Sequence, residues 1–312
     1  MLFPDLLGAI GHTPLVEMPR LSPSRDVRLF AKLEGQNPTG SVKDRIARAM
    51  IEYAEAHGDL QPGMSILESS SGNTGISLAM IGRIKGYKVT IVLPDNLTPE
   101  RTELLRLYGA SIIYSPGAEG SNGAVRFAQQ LMAEQPDRYF HTYQYANAAN
   151  PEAHYQTTGV EILQDLPAVD VFVAGLGTGG TLMGVGRRLR AHNPAVQIVA
   201  AEPLPGEAVQ GLRNLDDGFV PPILDTSLLD RRILVSNRDS VVGMRLLLER
   251  EGIFAGVSSG ANLHVALRIA REHTKANIVV LLCDGGWKYV SARLWTADLP
   301  DLEEEMERSV WW

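Results

Sequence analysis

The sequence predicts an α/β protein with mainly parallel sheets flanked by helices, in two domains. Three observations carry that prediction. Short β-branched apolar runs alternate with longer stretches of helical period. The short runs are nearly continuous in apolar residues, as strands covered on both faces require. The length, 312 residues, exceeds one typical domain of roughly 100–200 residues. A composition of 45% hydrophobic and 21% charged residues excludes a disordered, collagen-like or coiled-coil chain.

The elements follow in chain order. Residues 1–13 carry no basic segment and no long apolar core, so no signal peptide is expected. Strands are predicted at 28–33, 65–68, 89–94, 111–114, 169–174, 196–201 and 277–283. Helices are predicted at 43–57, 74–85, 99–107, 120–134, 151–163, 180–191, 239–251 and 260–273. Pro99 and Pro151 mark two helix starts, because proline suits the first helical position. The polar stretch 143–151 reads as a crossing between domains, and 203–230, with little periodicity, as a long functional loop. The acidic run 303–307 reads as a solvated helix face, and the chain ends Ser309-Val310-Trp311-Trp312.

Charge and cysteine content narrow the function. Lys+Arg against Asp+Glu is 29 − 36 = −7, which argues against nucleic acid as the main partner. The single cysteine, Cys283, allows no intrachain disulfide, and it reads as buried packing. No apolar window reaches the ~18 residues of a membrane span. A soluble, cytoplasmic protein of a reducing compartment is expected. The seven histidines show no ligand spacing, so no metal is predicted.

Three strand–loop–helix junctions hold the candidate chemistry. In Asn37-Pro-Thr-Gly-Ser-Val-Lys-Asp-Arg45 a turn leads into a helix beginning near Lys43. A lysine there meets the positive end of the helix dipole, which disfavours its charged form. An amine of lowered pKa suits imine chemistry. Of six lysines, Lys85, Lys88 and Lys275 stand in polar contexts, Lys32 lies mid-strand beside Glu34, and Lys288 is the second choice. In Glu68-Ser-Ser-Ser-Gly-Asn-Thr-Gly75, hydroxyls, an amide and helix N–H groups suit a carboxylate. In Gly175-Leu-Gly-Thr-Gly-Gly-Thr181, four glycines leave backbone N–H groups open to a phosphate. Gly175, Gly177 and Gly180, with Glu202 ending the next strand, also fit a dinucleotide fold, so an NAD-dependent dehydrogenase competes. The three junctions together point to pyridoxal 5'-phosphate acting on an amino acid.

Segments 37–45, 70–75 and 177–181 resemble the signatures of the cysteine synthase family, the O-acetylserine and O-phosphoserine sulfhydrylases, cysteine synthase B type included. Segments 11–16 and 252–261 add to the resemblance, which runs from about residue 8 to residue 293. It implies the β-family of pyridoxal-phosphate enzymes (fold type II, tryptophan-synthase-β-like), a homodimer of two-domain subunits. Residues 45–148 would form a smaller mobile domain carrying the carboxylate loop, and 1–44 with 149–312 a larger cofactor-binding one. Lys43 matches the lysine that bonds the cofactor aldehyde, and Asn73 the amide on its ring hydroxyl. Gly177, Thr178, Gly179, Gly180 and Thr181 match the phosphate loop, and Ser258 the serine facing the pyridine nitrogen. Ser70, Ser71, Thr74 and Gln144 match groups holding the substrate carboxylate. The sequence departs from the family pattern at His12, at Ser69-Ser70 and at Ala148.

The implied reaction is a transferase's β-replacement, giving L-cysteine from an activated serine by way of an aminoacrylate. Arg213, in a proline-bearing loop, suits a phosphate and favours O-phosphoserine over O-acetylserine as donor. The sulfur source could be sulfide, thiosulfate or the C-terminal thiocarboxylate of a small carrier protein. The tail 310–312 would plug the cleft, contact a second subunit or form a disordered end. Serine/threonine dehydratase and cystathionine β-synthase activities are the nearest alternatives.

Overall fold

The chain folds around two sheets in the computed structural model, which describes residues 2–70, 72–95, 99–207, 209–300 and 302, without the side chains of 99–101, Ala118 and Ser121. Its elements run β1 (Leu15–Glu17), β2 (Val27–Leu33), α1 (Lys43–His57), β3 (Ser65–Ser69), α2 (Asn73–Lys85), β4 (Lys88–Pro94), α3 (Pro99–Leu107), β5 (Ser111–Ser115), α4 (Gly120–Glu134) and β6 (Tyr139–His141). They continue α5 (Ala149–Ala153), a π-helical turn (His154–Thr158), α6 (Gly159–Asp165), β7 (Val171–Gly175), α7 (Gly180–His192), β8 (Gln197–Pro203), β9 (Arg231–Val235), α8 (Asn237–Glu251), α9 (Val257–Ala270) and β10 (Ala276–Leu282).

The larger sheet has the order β1-β2-β10-β7-β8-β9 and is parallel except for β1, which pairs antiparallel with β2. The smaller, β5-β4-β3-β6, is parallel throughout. Helices cover both faces of each. One face of the larger sheet packs on α9 through Leu263, Ala266 and Ile269, the other on α7 through Leu182, Val185 and Leu189. The smaller packs on α1 and α2 through Ile51 and Ile76, and on α4 through Ala124 and Ala128. Among the described residues no helix is long and apolar enough to cross a membrane.

Seven strands stand where the apolar runs predict them, within two residues. Three others carry no such run: β1, β6 and β9 are all sheet edges, with one face half-open to solvent. The helix predicted at 151–163 begins earlier, at Ala149, and is broken by the π turn, where the Thr157 hydroxyl donates to the Ala153 carbonyl at 2.6 Å. The helix predicted at 260–273 spans Val257–Ala270, because its first turn is the polar Ser-Ser-Gly that an apolar period overlooks.

A buried group of charges fixes how α1 enters the fold. Lys32, expected only as a mid-strand residue, is fully buried and donates to Glu161 Oε2 at 2.7 Å and to the Thr13 carbonyl at 2.5 Å. Arg45 spans two carboxylates, donating to Glu34 Oε2 and Glu161 Oε1 at 2.7 Å each. Two cations meet two anions, so the group is neutral as a set.

Candidate active site

Strands β2, β10 and β7 are neighbours in the larger sheet, and their carboxyl ends open onto one cavity of about 170 Å³. Sheets of this kind bind ligands there, where the strand order changes direction. The smaller sheet supplies the opposite wall from the loop after β3.

Lys43 is the first residue of α1. The turn before it needs Gly40 at a positive φ of 79°, and a Cβ there would lie 2.3 Å from the Trp287 ring. That turn is tied to the chain after β10: Val42 N donates to the Cys283 carbonyl at 2.8 Å and Gly285 N to the Gly40 carbonyl at 3.2 Å. Asp44 anchors it from the other side, accepting from Thr39 N at 2.7 Å and Ser77 Oγ at 2.5 Å. The Lys43 side chain lines the cavity, and its amine makes no hydrogen bond among the described residues. Desolvation lowers its pKa, against the opposing charges of Cys283, Asp284 and Glu34. An amine in that state is a nucleophile and a base.

The loop after β7 is rich in glycine. Gly179 holds a φ of 86°, and a Cβ on Gly177 would lie 2.5 Å from the Gly211 carbonyl. The N–H groups of Gly177, Thr178 and Gly179 find no partner among the described residues. With the N-terminus of α7 behind them they form a receptor for an anion such as a phosphate. His154 Nε2 lies 3.2 Å from Thr181 Oγ1, and burial pushes the ring's pKa down to about 3, so it stays neutral.

The remaining walls bring distant groups together. Ser258, in the first turn of α9, lines the cavity beside Cys283. Asn73 opens α2; its Nδ2 donates to Asp284 Oδ2 at 2.8 Å and its Oδ1 accepts from Lys288 Nζ at 2.5 Å. Ser70 Oγ accepts from the N–H groups of Gly72 at 3.3 Å and Gly75 at 3.2 Å. Thr74 Oγ1 donates to Gln144 Oε1 at 2.9 Å. Arg213 lies at the mouth, its guanidinium 4.9 Å from the Tyr145 ring centre and 4.8 Å from that of Phe219. It donates to Asn122 Oδ1 and to the Tyr145 hydroxyl at 3.3 Å each.

Lys43, Ser70, Asn73, Thr74, Gln144, Gly177, Thr178, Gly179, Thr181, Arg213 and Ser258 therefore line one cavity. Gly180 stands just behind it, since a Cβ would overlap Asn150. Ser71 and the tail from Glu303 onward, including Trp311 and Trp312, lie outside the described residues. Two expectations need correction. Glu202, the acid a dinucleotide reading requires, is turned away and buried, anchoring Leu215 N at 2.7 Å. Cys283 packs against the core as expected, but its residue is not fully covered and also lines the cavity, where desolvation of the sulfur raises its thiol to about 11. Sequence reading missed Asn150, whose Nδ2 donates to the Gln144 carbonyl at 2.8 Å and to Thr178 Oγ1 at 3.1 Å, joining the two cradles. Its only local signal is the Asn-Pro helix start.

Known proteins are similar to this chain in sequence and fold. The family described as pyridoxal-phosphate dependent enzyme matches residues 6–284. Cysteine synthase B of Pseudomonas aeruginosa is 44% identical, with 93% of this chain and 97% of that protein covered. Cysteine synthase A of Escherichia coli is 41% identical, with 96% and 97% covered. The crystal structure of the cysteine synthase of Entamoeba histolytica superposes with a TM-score of 0.89 at 32% identity, covering 99% of this chain and 96% of that one.

Proposed function

The chain belongs to the pyridoxal-phosphate-dependent enzymes, in their cysteine synthase family, and from that premise we propose that it makes L-cysteine by β-replacement on an activated serine, with O-phosphoserine the preferred donor. One observation carries the reading. A desolvated lysine amine, a glycine-rich loop of N–H groups unpaired among the described residues and a loop of hydroxyls and amides converge on one cavity. These are the donor types that an aldehyde, a phosphate and an amino-acid carboxylate need.

Pyridoxal phosphate, when bound, supplies the electron sink for a carbanion at Cα. In this reading Lys43 bonds its aldehyde, the 177–181 loop holds its phosphate, Asn73 donates to its ring hydroxyl and Ser258 faces its pyridine nitrogen. Ser70, Ser71, Thr74 and Gln144 hold the substrate carboxylate. Lys43, with its pKa lowered, moves the proton at Cα from a distance set by its own attachment point. Ser258 presents a hydroxyl and no carboxylate, so it does not stabilise a protonated pyridine nitrogen. That favours prompt loss of the β-substituent over transamination.

Arg213 decides the donor. Its guanidinium lies against the Tyr145 and Phe219 rings, which restrict where it can sit, and a bidentate phosphate contact would take the place of its bonds to Asn122 and the Tyr145 hydroxyl. Its present contacts, at 3.3 Å, are long and cost little to exchange. The sulfur nucleophile of this reading is sulfide or a carrier protein's thiocarboxylate, and the working unit a homodimer.

The test compares kcat/KM for O-phosphoserine and O-acetylserine, with sulfide, in wild type, Arg213→Ala and Lys43→Ala. Arg213→Ala is expected to lose about 10- to 100-fold on O-phosphoserine, the worth of a charged hydrogen-bond pair, and little on O-acetylserine. Lys43→Ala is expected to lose its cofactor-bound colour and at least about 10²-fold in rate on both donors. Equal losses on both donors in Arg213→Ala would remove the phosphate preference. Full turnover by Lys43→Ala would remove the assignment of the amine.

A further inference from the structure

Two lysines reach the cavity, and the reaction proposed above uses one. The other, Lys288, stands on the segment Gly286–Ala292, just after β10. Its Nζ donates to Asn73 Oδ1 at 2.5 Å, while Asn73 Nδ2 donates to Asp284 Oδ2 at 2.8 Å. The Tyr289 hydroxyl donates to the same Asp284 oxygen at 2.5 Å.

An amide has one acceptor oxygen and two N–H donors. In Asn73 the oxygen faces an ammonium, which can only donate, and one N–H faces a carboxylate, which can only accept. Turning the amide over would set NH₂ against ammonium and carbonyl against carboxylate. The orientation is therefore fixed from both ends, and one N–H of a cavity-lining residue is left to point elsewhere. The stretch 284–288 that carries these partners also braces the turn before Lys43, through the Ser41–Asp284 bridge and the Trp287 ring against Gly40. Lys43 and Asn73, two of the groups that would touch the cofactor, are thus referenced to one piece of chain.

We propose that Lys288 is a positioning residue, which with Asp284 locks the Asn73 amide so that a single N–H serves the cofactor's ring hydroxyl, and whose positive charge favours the anionic form of that oxygen. This rests on the role given to Asn73 above. It assigns Lys288 no bond to the cofactor and no part in proton transfer.

The experiment measures the cofactor dissociation constant and the absorbance spectrum of the loaded protein in wild type, Lys288→Met, Lys288→Arg, Asn73→Ala and the double variant Asn73→Ala/Lys288→Met. Lys288→Met is expected to weaken cofactor retention about 10-fold, the low end for a hydrogen bond to a charged group. It should also move absorbance from the long-wavelength band to the short-wavelength one. Lys288→Arg, which keeps the charge, should restore both. On the Asn73→Ala background the methionine change should add almost nothing, because the residue through which it acts is gone. Lys288→Gln replaces Lys288→Met should the latter not fold. The proposal is overturned if the neutral variant matches wild type in both readouts, if its effect persists undiminished without Asn73, or if borohydride reduction leaves the cofactor on Lys288. Failure of wild type to take up the cofactor would instead defeat the functional reading as a whole.

Discussion

Glu161 lies at the meeting point of Lys32 and Arg45, two cations with almost no access to water. Burial alone would raise its pKa, but the hydrogen bonds and charge of Arg45, then those of Lys32, more than reverse this and hold it at about 2. A carboxyl whose folded pKa lies below its unfolded one of 4.5 contributes stability that is present above about pH 4.5. That contribution is lost as pH falls toward 2. His154 acts in the same direction: burial lowers it from 6.5 to about 3, so the unfolded chain takes up its proton first as pH drops. Glu161→Gln is expected to cost about 3–5 kcal/mol at pH 7, since it leaves buried cations short of an anion. The gap to wild type should narrow below about pH 4.5, where the unfolded wild-type chain takes up a proton on this carboxyl while the folded one, at about 2, stays charged. Melting curves of both proteins from pH 7 to pH 3 check this; a gap independent of pH would show that packing, not charge, is lost. None of it is legible locally, because Lys32 and Glu161 are 129 residues apart.

Element α7 is held against the π turn by the absence of a side chain at Gly184. A Cβ there would lie 2.1 Å from the Pro151 carbonyl oxygen and 2.8 Å from Tyr155 N, both backbone atoms that cannot swing aside. The α7 N-terminus carries the proposed phosphate loop, and the π turn carries His154 against Thr181. Gly184→Ala is therefore expected to destabilise by about 1–3 kcal/mol and to weaken cofactor retention as well. Gly186→Ala, one turn position away, meets only side-chain atoms at 3.1 Å or more and serves as the control. Denaturant unfolding with and without cofactor separates the two; equal behaviour would dismiss the close approach as the cause. At this scale the sequence was informative wherever an element is buried on both faces. Central strands such as β10 announce themselves by apolar runs, whereas β9, reading Arg-Arg-Ile-Leu-Val, is an edge whose burial alternates, leaving two arginines and only a short apolar run to mark it. The three loops of the candidate site were legible for a different reason. Each places glycine or hydroxyl residues at a strand–helix junction, a local requirement. Their convergence depends on strand order, and Asn150, Asp284 and Lys288 join the site only through it.

Over the whole molecule, the contacts between the two sheet systems are unlike those within them. Near the cavity they are polar: Asn73 with Lys288 and Asp284, and Asn122 with Arg213. Away from it lies a small apolar cluster of Ile46 and Met50 on α1 with Ala149 and Ala153 on α5. Polar contacts exchange partners at little net cost, whereas packed apolar groups resist separation. The sequence division into 45–148 and the rest, read with this asymmetry, leads us to propose a rotation of the smaller part. It would pivot at the α1–α5 cluster and open or close at the Asn122–Arg213 mouth. A donor bound between the 70–75 loop and Arg213 would hold both sides and favour the closed form. Hydrogen exchange of the cofactor-loaded protein, with and without O-phosphoserine and with no sulfur source, tests this. Exchange is expected to slow on the order of tenfold, about 1.4 kcal/mol, around 70–75, 120–122 and 142–145, while β8 and β9 stay unchanged. Protection spread evenly over both sheets, or confined to the residues touching the donor, would mean that the two parts do not move relative to each other on binding.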